Sequence, residues 1–131
     1  LGAKPFAVAA MGSHGGATAD GQRELLAGYG ITEQNLGVPV VTDMDAVSVG
    51  TNSWGQAVWW DKNALAADGV VLVNRVKPHT DFRGRYESGI VKMMVIGLGK
   101  RHGADQVHSF GTRGLRDMMV ESAKVLLEKT P

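Results

Sequence analysis

At 131 residues, 44% hydrophobic and 21% charged, the chain is sized and composed as one globular domain that can bury its own core. A formal net charge of +1 excludes a broad basic face for nucleic acid, and the absence of cysteine excludes disulfides and thiolate metal ligation. No apolar run approaches the roughly 20 residues of a membrane span and the amino terminus is no signal peptide, so a cytoplasmic location without a membrane partner is the expectation.

The opening Leu1-Gly2-Ala3-Lys4-Pro5 reads as a helix end running into a strand, as in a piece cut from a larger protein. Phe6 to Met11 is predicted as a short strand of small and apolar residues. Gly12-Ser13-His14-Gly15-Gly16 turns sharply after it, and Thr18 caps a helix whose apolar positions, Leu25, Leu26 and Tyr29, follow helical spacing up to Gly30. Val38 to Thr42 reads as a second strand, with Pro39 arguing for an edge or an irregular start. Ala46 to Gly50 and Gln56 to Trp60 alternate around Asn52-Ser53-Trp54-Gly55, which predicts a hairpin with one wet face. A helical turn over Asn63 to Ala67 is broken by Asp68-Gly69. Gly69 to Asn74 is apolar and β-branched and reads as a buried strand. Met93 to Ile96 fits either a strand or a buried helix. From Thr112 to about Glu128, the stripe Leu115, Met118, Met119, Ser122 and Leu126 predicts an amphipathic helix.

The chemistry concentrates between Arg75 and His108, which hold three of the four histidines: His79, His102 and His108. Polar groups loaded at the carboxyl end of a buried strand are where open α/β sheets place their ligand sites. His79 follows Pro78, whose ring fixes the backbone, so a rigid turn presents the imidazole. His102, between Arg101 and Gly103, reads as a surface residue. Lys92 lies within Ile90-Val91-Lys92-Met93-Met94-Val95-Ile96, and apolar surroundings favour the neutral, nucleophilic form of an amine; the plainer reading is a lysine that snorkels to solvent. The turn around His14 is either a tight bend that needs glycine or an anion site made of backbone amides and a helix N-terminus. Its likeness to a lipase oxyanion turn is not supported, since no G-x-S-x-G elbow occurs. Gly97-Leu98-Gly99-Lys100 hints at a nucleotide-binding loop but lacks the full spacing.

Three stretches together, Met11 to Ala19, Asn74 to Gly84 and Glu87 to Lys100, resemble the lactate racemase family over nearly the whole chain. The resemblance implies that residues 1–131 are a single α/β domain, a fragment of the N-terminal domain of a two-domain protein, with a three-layer α/β/α, Rossmann-like fold, a mostly parallel sheet and the β-hairpin. It implies an isomerase: a racemase or epimerase of a 2-hydroxy acid, lactate-like or a sugar acid, using a nickel-pincer nucleotide. That cofactor is a pyridinium mononucleotide whose two sulfur arms hold nickel. By position, Lys92 corresponds to the lysine that tethers the cofactor and His108 to the histidine that ligates nickel, while His14 and His79 correspond to the two catalytic histidines. In the implied mechanism one histidine removes the hydroxyl proton while the pyridinium ring takes hydride from carbon, chemistry a side-chain base alone does poorly. The spacing from His79 to Lys92 is longer than in the lactate enzymes, and Thr80-Asp81-Phe82-Arg83-Gly84 replaces their aromatic and glycine run, so the resemblance speaks for the cofactor more than for the substrate. The implied partners are the 2-hydroxy acid, the C-terminal domain of the parent chain and the enzymes that make the cofactor. A family arginine upstream and the C-terminal domain lie outside these residues, so the isolated fragment is expected to be inactive. Two other readings stay open: a zinc metallohydrolase ligated by His14, His79 and His108, and a non-catalytic domain that carries the cofactor.

Overall fold

The computed structural model describes residues 2–131. Strand β1 (Ala7–Val8) pairs in parallel with β2 (Val40–Val41), and the Ala7 and Ala9 amides donate to the Pro39 and Val41 carbonyls. Pro39 thus enters the ladder only as an acceptor, the one role its missing N–H allows. Between the two strands run a single 3₁₀ turn at Gly15–Ala17, helix α1 (Ala19–Gly28) and the short α2 (Glu33–Leu36). The Thr18 hydroxyl caps α1 by accepting from the Gly21 amide, as the sequence predicts. The expected apolar face of α1 is not buried, however: Leu25 and Tyr29 are exposed, and the residue that α1 buries is Gln22. The short α2, capped by Thr32, was not foreseen.

The predicted hairpin is present. Strands β3 (Ala46–Thr51) and β4 (Ala57–Asp61) pair antiparallel with an irregularity between Ser48 and Gly50. Asn52 closes the turn, its Oδ1 accepting from the Trp54 and Gln56 amides while its Nδ2 donates to Ser122 Oγ at 2.9 Å. Asp61 ends β4 and caps α3 (Lys62–Leu65) through the Ala64 amide. Against this hairpin pack α5 (Lys100–Ser109) and α7 (Met119–Lys129). The helix α4 (Ile90–Lys92) continues as a π-helical stretch over Met93–Gly97, which resolves the strand-or-helix ambiguity there in favour of a buried helix. Likewise α6 (Gly111–Arg113) runs through a π-helical stretch, Gly114–Met118, into α7. The stripe read from the sequence, Leu115, Met118, Met119, Ser122 and Leu126, is buried throughout. With Trp60, Val58, Phe82 and the 94–98 run, it forms the core.

The molecule is therefore a mixed α/β domain, with one departure from the expected architecture. Gly69 to Asn74 is not a paired strand, and in place of a mostly parallel sheet there are one parallel and one antiparallel pair. The segment keeps the in-and-out alternation of a strand: Val70 and Leu72 pack on the core while Val71 is 88% and Val73 is 85% exposed. Side-chain burial on one face holds it, and no backbone ladder does. Among the described residues no helix is long and apolar enough to cross a membrane.

Candidate active site around His79 and Lys92

The site begins with a loop that a single carboxylate organises. Lys77 and Ser88 form an isolated antiparallel bridge, and inside it both oxygens of Glu87 accept backbone amides, from His79 at 2.8 Å and from Gly84 at 3.3 Å. Those amide bonds, the one from His79 foremost, hold the Glu87 carboxyl below its ordinary range, with Arg83 adding a smaller pull. Arg83 also donates to the His79 carbonyl. Phe82, buried beneath the loop, lies against the imidazole with ring centroids 4.5 Å apart. His79 is thus fixed on three sides: by its amide, by its carbonyl and by an aromatic floor.

Its ring nitrogens are engaged as well. The Asp81 amide donates to His79 Nδ1 at 3.1 Å, and His79 Nε2 lies 2.9 Å from Lys92 Nζ. Lys92 stands on the last residue of α4, half-buried, where the helix passes from α to π geometry; π-helical turns inside helices are frequent at functional positions. Burial pushes the Lys92 ammonium below the ordinary lysine range, the Lys77 charge adds to this and Asp81 opposes it. Burial likewise lowers His79, as do the charges of Lys92 and His108, against Asp81 and Glu87. Both groups are pushed toward their neutral forms, the state in which one is a base and the other a nucleophile. The snorkelling alternative for Lys92 does not describe this contact.

The other three histidines are placed differently. His108, in the last turn of α5, is exposed, and its charge reaches His79. His14 is exposed on the 12–16 turn, and its side chain makes no hydrogen bond among the described residues. That turn abuts the C-terminal end of the helix that carries Lys92, the Gly12 amide donating to the Gly97 carbonyl at 3.1 Å. Buried Gln22 pins it from the other side, with Nε2 donating to the Gly12 and His14 carbonyls at 3.0 and 3.1 Å. The amides of Gly12, His14, Ala17 and Thr18 all pair with backbone carbonyls, and Thr18 Oγ1 takes the Gly21 amide at the start of α1. The turn is a tight bend that needs glycine: Gly12, Gly15 and Gly16 have φ of 60°, 64° and 67°, and a Cβ on Gly15 would come within 2.5 Å of α1 backbone. His102 is on the surface as expected, stacked on Trp59 with centroids 4.5 Å apart.

Gly97-Leu98-Gly99-Lys100 is a packing device and not a nucleotide loop. A Cβ on Gly97 would lie 2.7 Å from the Ala10 carbonyl oxygen and one on Gly99 2.1 Å from that of Val95. Lys100 is fully buried, its ammonium 2.7 Å from Asp61 Oδ2 and donating to the Ala9 carbonyl at 2.7 Å. The three-histidine zinc arrangement is not formed, because among the described residues no three His, Asp or Glu side chains gather closely enough to hold a metal ion. Reading the sequence did not single out Glu87, Phe82, Gln22 or the Lys100–Asp61 pair. Glu87 had a usable signal, as the carboxylate that closes a loop carrying Arg83, Gly84 and Arg85; the other three needed the fold.

The comparisons with known proteins add one finding. A family model described as the lactate racemase N-terminal domain matches residues 5–117. No curated protein and no solved structure matches the chain.

Proposed function

Because the chain belongs to the lactate racemase N-terminal domain family, we propose that it supplies the cofactor attachment and acid-base groups of a 2-hydroxy acid racemase or epimerase dependent on a nickel-pincer nucleotide. The observation that carries this reading is the His79–Lys92 pair, an imidazole and a half-buried amine 2.9 Å apart, both pushed toward neutrality. Lys92 is the attachment point, since a neutral amine can form a covalent bond to a carboxyl-derived arm and a charged one cannot. His108, exposed and near His79, is the one nickel ligand the chain provides, the other donors belonging to the cofactor. This division suits a protein without cysteine whose described residues build no metal cage of their own. When bound, the cofactor supplies the acceptor for hydride from the substrate carbon.

The chain's own part is to move the hydroxyl proton. Inverting one carbon requires bases on two faces of the substrate, and His79 and His14 are those bases, exchanging roles between directions. His79 is suited to this because burial, with the charges of Lys92 and His108, disfavours its protonated form. The Glu87-held loop fixes its position. The substrate, the C-terminal domain of the parent chain and the cofactor-making enzymes are the proposed partners.

The test is intact-mass spectrometry of the full-length protein after co-expression with the cofactor-making enzymes. A nucleotide adduct is expected, mapping to Lys92 and absent from Lys92→Arg, which keeps the charge but cannot form the same bond. His108→Ala should keep the adduct and lose nickel. An adduct that persists in Lys92→Arg would falsify the assignment.

A further inference from the structure

The three atoms that surround the His79 ring fix where its proton sits. The Asp81 amide carries a hydrogen and points it at Nδ1 from 3.1 Å, so Nδ1 must present a lone pair. A neutral imidazole with an unprotonated Nδ1 carries its hydrogen on Nε2, and Nε2 is the atom 2.9 Å from Lys92 Nζ. Nε2 is therefore the donor of that bond and Nζ the acceptor. An ammonium has three hydrogens and no lone pair and could not accept. The opposite arrangement, a charged Lys92 donating to Nε2, would place a hydrogen on Nδ1 facing the Asp81 amide, two donors in contact.

We propose that His79 first acts as the loading partner of Lys92: with its tautomer fixed by the Asp81 amide, it holds the lysine as a neutral, acylation-ready amine, and acylation of Nζ releases it. This rests on the reading of Lys92 as the attachment point. The charged groups facing the pair are Lys77 and Asp81 beside Lys92, and Asp81, Glu87, Arg83 and His108 around His79. Burial and Lys77 act on Lys92 in the same direction as the hydrogen bond, and Asp81 is the one group opposing them. In the covalent step the Nζ lone pair attacks the carbon of an activated carboxyl group. A C–N bond forms, the bond from that carbon to its leaving group breaks, and the departing anion takes the proton that Nζ sheds. The acylated nitrogen has its lone pair delocalised into the new carbonyl and no longer accepts from Nε2. His79 is then free to leave the lysine. While Nδ1 accepts from the Asp81 amide, Nε2 holds its own proton and cannot take one from a substrate, so action as a base at that atom requires His79 to leave the Asp81 amide as well as the lysine.

Two measurements test this on the full-length protein expressed without the cofactor-making enzymes. In a long-range ¹H–¹⁵N correlation spectrum at pH 7, His79 should show a protonated Nε2 and an unprotonated Nδ1, and acetylation of Lys92 should shift the Nε2 resonance as its acceptor is lost. A protonated Nδ1, or a doubly protonated ring, overturns the proposal. In the second, timed labelling with N-hydroxysuccinimidyl acetate is read by peptide mass spectrometry. Lys92 should acetylate faster than exposed Lys62 and Lys124, and His79→Phe, which keeps an aromatic ring over Phe82 but has no donor, should slow Lys92 about tenfold, the equivalent of one pKa unit. Lys62 and Lys124 should be unaffected, which reports that the variant is folded. Unchanged labelling of Lys92 in His79→Phe overturns the proposal, and the spectrum of the unaltered protein decides it if the variant does not fold. Fast labelling without a nucleotide adduct in the co-expressed protein would remove the attachment reading alone; slow labelling with an adduct would remove this inference alone.

Discussion

Lys100→Met is the most informative single substitution for the scaffold. Lys100 and Asp61 are both fully buried, and the ammonium lies 2.7 Å from Asp61 Oδ2 and donates to the Ala9 carbonyl. One side chain thereby ties together the end of β1, the end of β4 and the start of α5, which carries His108. Methionine has nearly the same length and fills the same space, so packing is kept and only the charge and its hydrogen bonds are lost. What remains is a buried carboxylate without its counter-ion and a carbonyl without its donor. Removing one member of a buried pair costs about 3–5 kcal/mol, against a total stability of roughly 5–15 kcal/mol for a domain. In a chain of 131 residues this corresponds to a fall in Tm of about 11–18 °C. Urea unfolding followed by tryptophan fluorescence suits the measurement, because Trp60 is buried next to Asp61. Adding Asp61→Asn should recover all but about 1–2 kcal/mol, since the Asn oxygen still caps Ala64 while the stranded charge is gone. A single variant within about 1 kcal/mol of the parent would refute the argument, and so would a double variant no better than the single.

Gln22→Ala removes the two bonds that pin the His14 turn and leaves the Gly12 carbonyl without a donor, while the His14 carbonyl keeps the Ala17 amide; it should cost about 1–3 kcal/mol in the same assay. Glu87→Gln retains one acceptor for two amides; the His79 and Gly84 amide resonances should shift and the His79–Lys92 contact loosen, with little change in global stability because the loop is peripheral. The Glu87 carboxyl is held below its ordinary value, so the loop is intact above the ordinary carboxylate range and opens as pH falls through the lowered value, visible as a late acid shift of those two resonances. His79 is likewise depressed, so in the full-length protein without cofactor its ring resonances should titrate below about 6.5, the ordinary imidazole value; a midpoint at or above it would contradict the burial and charge argument.

Local rules that act within a few residues were legible in the sequence. The Thr18 cap, the 46–60 hairpin and the 115–126 stripe each follow from spacing and side-chain type, and each is present. The misses share a cause. Leu25 and Tyr29 follow helical spacing but meet no partner, because the contact that α1 makes is polar, through Gln22 to the His14 turn. Gly97 and Gly99 only hinted at a phosphate loop, without its full spacing, because glycine marks any close backbone approach, whether the approaching atom is a ligand or another carbonyl.

Gly69 to Asn74 shows how far composition reaches. An apolar, β-branched run supplies the alternation of a strand, and Val70 and Leu72 are turned inward as that alternation demands. Pairing needs neighbours, and a run of residues carries no information on which strands lie beside it. The site has the same division. Lys92 in an apolar run and His79 behind proline were both visible as candidates, and the structure joins them at 2.9 Å. What decides their chemistry is the Asp81 backbone amide, a group every residue except proline possesses and no motif can mark. Its position depends on the turn that Glu87 closes from eight residues away, so the tautomer of His79 is a property of the folded loop. Any substitution that reshapes residues 79–87 should therefore alter the reactivity of Lys92, even where neither His79 nor Lys92 is changed.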